Sequence, residues 1–169
     1  MSCSNKAFFL DRDGVLIDDV GYLNDIKKIK FLKHTFKALS LLTRKNFKLI
    51  IITNQSVVGR GLITENYLKK IHNNIKEKLK EKKIKISGIY YCPHHPKYGI
   101  GRYKKNCKCR KPNNLLIRKA IAEHKIDIKK SFFIGDKLSD KHCAIKSKIN
   151  FSYRSKINFY LQIKRLINK

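Results

Sequence analysis

Residues 8 to 15 read FFLDRDGV, an apolar run that passes directly into two aspartates, Asp11 and Asp13, with Gly14 behind them. The apolar part is expected to be a buried strand, Ala7 to Leu10. In an open parallel sheet, ligands gather at the carboxyl ends of the strands, and side chains two apart in an extended chain point the same way. Asp11 and Asp13 are therefore expected to face one site. Neighbouring carboxylates repel, so such a pair implies a cation between them or a proton on one of them. A plain polar turn through Asp13-Gly14 is the competing interpretation of this stretch taken alone.

The same sequence grammar recurs outward from this point. Short apolar runs at Leu49 to Ile52, Gly88 to Tyr91, Ser131 to Ile134 and Ile149 to Tyr153 alternate with segments of helical period, which predicts an α/β fold with a mainly parallel sheet. Helices are expected over His34 to Lys45, with Phe36, Leu39 and Leu42 on one face, and from a Thr64 cap to about Lys83, with Tyr67 or Leu68, Ile71, Ile75 and Leu79 inward. Further helices are expected at Asn114 to His124 and from Ser139. The tail stripe Phe159, Ile163, Leu166 and Ile167 predicts a last helix docked on the sheet.

Two more strands end in groups suited to an anion. LIIITNQS, residues 49 to 56, finishes in Thr53 and Asn54, which can donate to phosphate oxygens, and Gly59-Arg60-Gly61 follows with open backbone and a charge. An ordinary strand-to-helix turn explains these residues equally well. SFFIGDKLSD, residues 131 to 140, places Asp136 at another carboxyl edge, with Asp140 about one helical turn on. A third carboxylate there completes an oxygen-rich site suited to magnesium. Lys111, in CRKP, is a candidate cation for the phosphate, with Asp140 positioning its ammonium.

The formal charge is +28, yet 32 of the 40 basic residues are Lys, spread along the whole chain, and Ile and Asn are also abundant. That is compositional drift rather than the localised Arg forks that read bases, and no specific nucleic-acid partner is expected. With only 12 acidic residues against this background, Asp11, Asp13, Asp136 and Asp140 carry more weight. A length of 169 residues with 42% hydrophobic content suits one domain, 1–169. The chain has no apolar run long enough for a membrane span and no leader at Met1 to Lys6, so a cytoplasmic protein with no membrane partner is expected. Cys3 reads as an ordinary thiol.

Between Cys92 and Pro112 no period is visible, and such a stretch needs something to hold it. It contains YYCPHHP, residues 90 to 96, and CKCRKP, residues 107 to 112. Three thiolates and an imidazole make a closed tetrahedral set, as in a structural zinc site. Cys92, His94, Cys107 and Cys109 are the favoured ligands of a zinc loop at about 92–110, with His95 as the alternative to His94.

The order Asp-x-Asp-Gly, strand-Thr-Asn, Lys, Gly-Asp-x-x-x-Asp resembles the four-motif signature of the haloacid dehalogenase superfamily. From about Ala7 to Ala144 the chain is similar to its bacterial heptose bisphosphate and histidinol phosphate phosphatases. Gly21-Tyr22, Gly-Arg-Gly and YYCPHHP favour the heptose group. The resemblance implies a Rossmann-like three-layer α/β/α sandwich with no large cap domain, acting as a monomer on a sugar phosphate in the pathway to ADP-heptose and lipopolysaccharide core. By the same likeness Asp11 is the nucleophile, Asp13 the acid and base, and Thr53 and Lys111 the phosphoryl-stabilising groups. Asp11, Asp136 and the Asp13 backbone carbonyl would hold magnesium. Substrate contacts are implied for Asp19, Val20, Gly21, Tyr22, Thr53, Asn54, Gln55, Ser56, Arg110, Lys111 and Lys137. The chain departs from the family at Val57, where glycine is usual and a β-branched side chain resists positive φ. It departs also at Ile17, a usually polar position, and at Lys146-Ser147-Lys148, where small residues and glycine are expected.

Overall fold

The computed structural model describes residues 5–168; Cys3 and the chain start before Asn5 lie outside them. Strands β1 (Ala7–Leu10), β2 (Lys48–Asn54), β3 (Ile86–Cys92), β4 (Phe132–Gly135) and β5 (Asn150–Tyr153) form one sheet in the order β3-β2-β1-β4-β5. Every pairing is parallel. Parallel neighbours require crossovers, which are supplied by helices α1 (Thr35–Arg44), α2 (Ser56–Gly59), α3 (Glu65–Glu81), α4 (Leu115–His124) and α5 (Leu138–Lys146), and α6 (Phe159–Ile167) follows the last strand.

The strands are apolar on both faces because both faces are covered. Phe8 and Leu10 of β1, with Leu49 and Ile51 of β2 and Ile134 of β4, pack against α1, α3 and α6. Ala7 and Phe9, with Ile50, Ile52 and Phe133, face α4 and α5. This is the three-layer sandwich expected. The tail helix α6 buries Phe159 and Ile163 in the same layer as α1. Leu68, rather than Tyr67, is the first buried residue of α3, and Thr64 caps that helix by accepting from the Tyr67 amide at 3.1 Å. The helix ends at Glu81, two residues short of Lys83, which adopts φ 59°. Strands β2 and β3 extend beyond their expected ends, so that Thr53 and Asn54 belong to β2. Among the described residues no helix is long and apolar enough to cross a membrane.

Strand order reverses at β1, which lies between β2 and β4, and this is where an open α/β sheet leaves a crevice beyond its carboxyl ends. Asp11 follows β1 and Asp136 follows β4 at that edge. The departures noted above have separate outcomes. Val57 lies in α2, is buried with Val58 and Leu68, and is not in the left-handed region, so the expected conflict with positive φ does not arise. Ile17 is 1% exposed and belongs to the core, which rewards an apolar side chain there. Lys148 does adopt φ 55° just after α5, a conformation that favours glycine.

Candidate active site and metal centres

Lys111 enters the crevice from the long loop and is 3% exposed. Its Nζ lies 2.9 Å from Asp11 Oδ1 and 2.6 Å from Asp140 Oδ1, and it donates to the Ile52 carbonyl at 2.9 Å. An ammonium has three hydrogens, and each has a partner here. Burial works to lower the Lys111 pKa, but Asp11 and Asp140 outweigh it and hold the ammonium above its ordinary value. The other Asp140 oxygen accepts from the amides of Asp136 and Lys137 at 3.2 and 3.0 Å. Asp140 therefore positions the lysine, as expected, and ties the start of α5 to it. The lysine's loop is held in turn by Asn54, whose side chain exchanges hydrogen bonds with the Lys111 backbone at 3.1 and 3.0 Å.

Asp11 is 5% exposed, and burial raises its carboxyl from 3.8 to about 7; Lys111 opposes the rise, while Asp140 and Asp13 add to it. Burial likewise raises Asp136. A carboxylate pair held uncomfortably in this way is one a cation relieves. Asp11, Asp136 and Asp140 each bring a carboxylate oxygen within 4.8 Å of the others. Asp140 is already engaged on both oxygens, which leaves Asp11 and Asp136 as the side chains that fit magnesium. The Asp13 carbonyl takes no backbone hydrogen bond among the described residues and is available as a third oxygen. Gly14 makes this geometry possible: it has φ 75°, and a Cβ there would stand 2.2 Å from Asp136 Oδ2.

The Asp13 carboxylate is held from two sides. Arg12 donates to it from Nε at 3.2 and 3.1 Å and from Nη2 at 3.0 Å, and Gln55 Nε2 donates at 2.7 Å. Gln55 Nε2 also donates to Thr53 Oγ1 at 2.8 Å. Arg12 and its partner His72 are site residues that sequence reasoning missed. Arg12 is read only as the spacer of an Asp-x-Asp motif, and His72 stands outside the apolar stripe read for its helix. The only sequence signal was a charge in the middle of a strand-end motif whose neighbours are buried.

Around the mouth, Lys137 Nζ pairs with Asp19 Oδ2 at 2.8 Å, and Gly21 donates its amide to Asp19 Oδ1 at 3.0 Å. Burial works upward on the Asp19 carboxyl, but these bonds hold it below the ordinary range. Val20 and Tyr22 are exposed. The Arg60 guanidinium stacks between the Tyr22 and Tyr98 rings at 4.9 and 4.4 Å, joining the loop after β1 to the loop after β3. Ser56 opens α2, the short helix that Arg60 ends. Arg110 donates to the His94 carbonyl at 3.0 Å rather than standing free, so its loop is braced from within.

In that loop Cys92 Sγ lies 3.4 Å from Cys107 Sγ and 3.1 Å from Cys109 Sγ, and His94 Nδ1 lies 3.6 Å from Cys92 and 3.3 Å from Cys109. Ligands about 2.3 Å from a central ion stand roughly 3.8 Å apart, so this compact set of three sulfurs and one nitrogen fits zinc. Of the two histidines it is His94 that joins the cluster through Nδ1, while His95 Nδ1 accepts from the amides of Lys97 and Tyr98 at 3.2 and 3.1 Å. Beyond the cluster, a single turn at Gly101–Tyr103 is the loop's regular structure, with Tyr103 donating to Glu65 of α3 at 2.9 Å.

Comparisons with known proteins agree with this geometry. The family model described as polynucleotide kinase 3 phosphatase matches residues 6–163. The D-glycero-beta-D-manno-heptose-1,7-bisphosphate 7-phosphatase of Haemophilus influenzae is 40% identical over 148 residues, covering 88% of this chain and 80% of that protein. The protein of the same name from Escherichia coli K12 is 34% identical, covering 88% and 78%. Among solved structures, the D,D-heptose 1.7-bisphosphate phosphatase of B. bronchiseptica, complexed with magnesium and phosphate, superposes with a TM-score of 0.78 at 25% identity, over 95% of this chain and 86% of that one. A HAD-like phosphatase from Mesorhizobium loti shares the fold with a TM-score of 0.88 at 23% identity, covering 98% and 85%. Two carboxylates around a buried lysine, a zinc-ready loop without a large cap, and relatives that carry one name over four fifths of their length have one explanation: the chain belongs to the heptose-1,7-bisphosphate 7-phosphatase family of haloacid dehalogenase-type phosphatases.

Proposed function

We propose that the protein hydrolyses the C7 phosphate of D-glycero-D-manno-heptose 1,7-bisphosphate and leaves heptose 1-phosphate, a step toward ADP-heptose and lipopolysaccharide core. The observation that carries the phosphatase chemistry is the buried Asp11–Lys111–Asp140 chain, with contacts of 2.9 and 2.6 Å. The substrate rests on kinship with relatives of that name. An Asp11 carboxylate oxygen bonds to phosphorus as the ester P–O bond breaks, and Asp13 gives its proton to the departing alkoxide. Water then attacks phosphorus, Asp13 takes a proton from it, and the Asp11–phosphate bond breaks to release inorganic phosphate. Lys111 and Thr53 face the charge on the phosphoryl oxygens, where fixed electrostatics supply most of the rate. Magnesium, held by Asp11, Asp136 and the Asp13 carbonyl, would neutralise further phosphoryl charge when bound. Zinc in the Cys92, His94, Cys107 and Cys109 set would keep the loop in shape.

The sugar and its second phosphate are received by Asp19 to Tyr22, Asn54 to Ser56, Arg110 and Lys137. The Asp19–Lys137 pair at 2.8 Å is an exposed contact that a phosphate can replace at small cost. We take the chain to be one domain acting as a cytoplasmic monomer. A second reading, a phosphatase for polynucleotide 3′ ends, is favoured by the description of the matching family model. Magnesium-dependent phosphate release from the heptose bisphosphate, histidinol phosphate and a 3′-phosphorylated oligonucleotide decides between them. The heptose is expected to lead; preference for either competitor overturns the assignment.

A further inference from the structure

Arg12 is 1% exposed and carries a full charge into the interior, which is costly unless its donors are met. Nε and Nη2 serve Asp13, Nη2 also donates to Gln55 Oε1 at 2.7 Å, and Nη1 lies 3.2 Å from His72 Nε2. His72 projects from α3, sixty positions away in the chain, and is itself 5% exposed. To accept from a guanidinium its Nε2 must keep a lone pair. Burial, with Arg12 and Lys76 nearby, pushes its pKa down to about 3, so the ring is neutral. Its other neighbour is the Tyr91 ring of β3, edge-on at 5.4 Å between centroids.

We infer that His72 and Arg12 form a strut by which α3 positions the Asp13 carboxylate for proton transfer. Arg12 acts on Asp13 directly, and His72 is a positioning residue that fixes the guanidinium plane. Gln55 closes the ring by donating to Asp13 and accepting from Arg12, so Asp13 is located by groups from three separate elements. A core histidine that merely filled space needs no acceptor aimed at a charge, and Arg12 meets its remaining donors with Gln55 and His72, which fix its plane against Asp13. The inference rests on the assignment of Asp13 as acid and base.

Leaving-group dependence separates positioning from structure. An alkyl phosphate needs a proton on its departing oxygen, whereas nitrophenolate leaves without one. Because kcat/KM reports phosphoryl transfer to Asp11, the ratio of kcat/KM for the heptose bisphosphate to that for p-nitrophenyl phosphate measures the acid. In His72→Leu this ratio is expected to fall roughly 10- to 100-fold, and His72→Gln, which restores an acceptor, should recover it to within about threefold. Should His72→Leu fail to fold, Arg12→Lys keeps the charge and removes the fork, and the same fall is expected. Equal losses on both substrates, or no rescue by Gln, would overturn the strut. Asp13→Asn identifies the source of a failure: if its ratio falls and that of His72→Leu does not, the strut alone is wrong. If neither falls, the acid role of Asp13 is wrong and the strut goes with it.

Discussion

The sheet edge and the zinc loop reach the same end, a fixed set of polar groups at the mouth of one crevice, by different means. At the edge, Asp11 and Asp136 are carried by buried strands, and Lys111 is locked by two carboxylates and a carbonyl. The loop from Pro93 to Arg110 contains no strand; it is braced by contacts such as Tyr103 with Glu65 and Arg110 with the His94 carbonyl, beside a Cys92, His94, Cys107 and Cys109 set that could hold a metal ion. Rigidity that comes from the core is shared with the whole fold. Rigidity that comes from an ion is conditional, and Lys111, only two residues beyond Cys109, connects the two.

The sharpest break is at that junction. Asp140→Ala leaves the Lys111 ammonium buried with one carboxylate fewer, and the expected cost is about 3–5 kcal/mol of stability with near-complete loss of turnover. Denaturant unfolding beside an activity assay checks it; a change under about 1 kcal/mol would mean that the pair does not hold the edge as described. Removing zinc with a chelator, or Cys109→Ser, should be more local. Amide exchange in the loop is expected to rise by orders of magnitude while β1 and β2 keep their protection. Loss of protection in the strands as well would show that the sheet edge is not independent of the loop.

Asp11 supplies a pH test of the edge. Its folded pKa is raised from 3.8 to about 7, so its contribution to metal-free stability is fully present below about 4 and lost as pH rises through about 7. Asp11→Asn does not titrate and should melt above the wild type at pH 8, with the gap closing toward pH 4. Saturating magnesium should shrink that gap, because the cation offsets the buried charge. A gap independent of pH would contradict this. The smallest effect lies away from both regions: Lys148→Gly removes a left-handed lysine at φ 55° and should stabilise the fold by about 1 kcal/mol without changing turnover.

The legibility of the two regions differs in the same way as their construction. β1 was readable residue for residue because a run such as AFFL admits few alternatives, and Asp11, Asp13, Asp136 and Asp140 stood out against a lysine-rich chain. The clustering of Cys92, Cys107 and Cys109 with a histidine was readable from ligand type and spacing, but His94 and His95 were separable only once the fold set His94 Nδ1 beside the thiols. The pairing of Arg12 with His72 was not readable, because its meaning lies in a contact between segments sixty positions apart. Val57 misled for a related reason: its backbone conformation is set by the short helix α2, which no local pattern announces.

If phosphate passes through Asp11, the stereochemical course at phosphorus records it. With a thiophosphate analogue made chiral at phosphorus by sulfur and two oxygen isotopes, and hydrolysed in water of the third isotope so that the released thiophosphate is chiral, two successive in-line displacements, first by Asp11 and then by water, predict net retention. Net inversion would mean that water attacks the substrate directly and that Asp11 carries no phosphate.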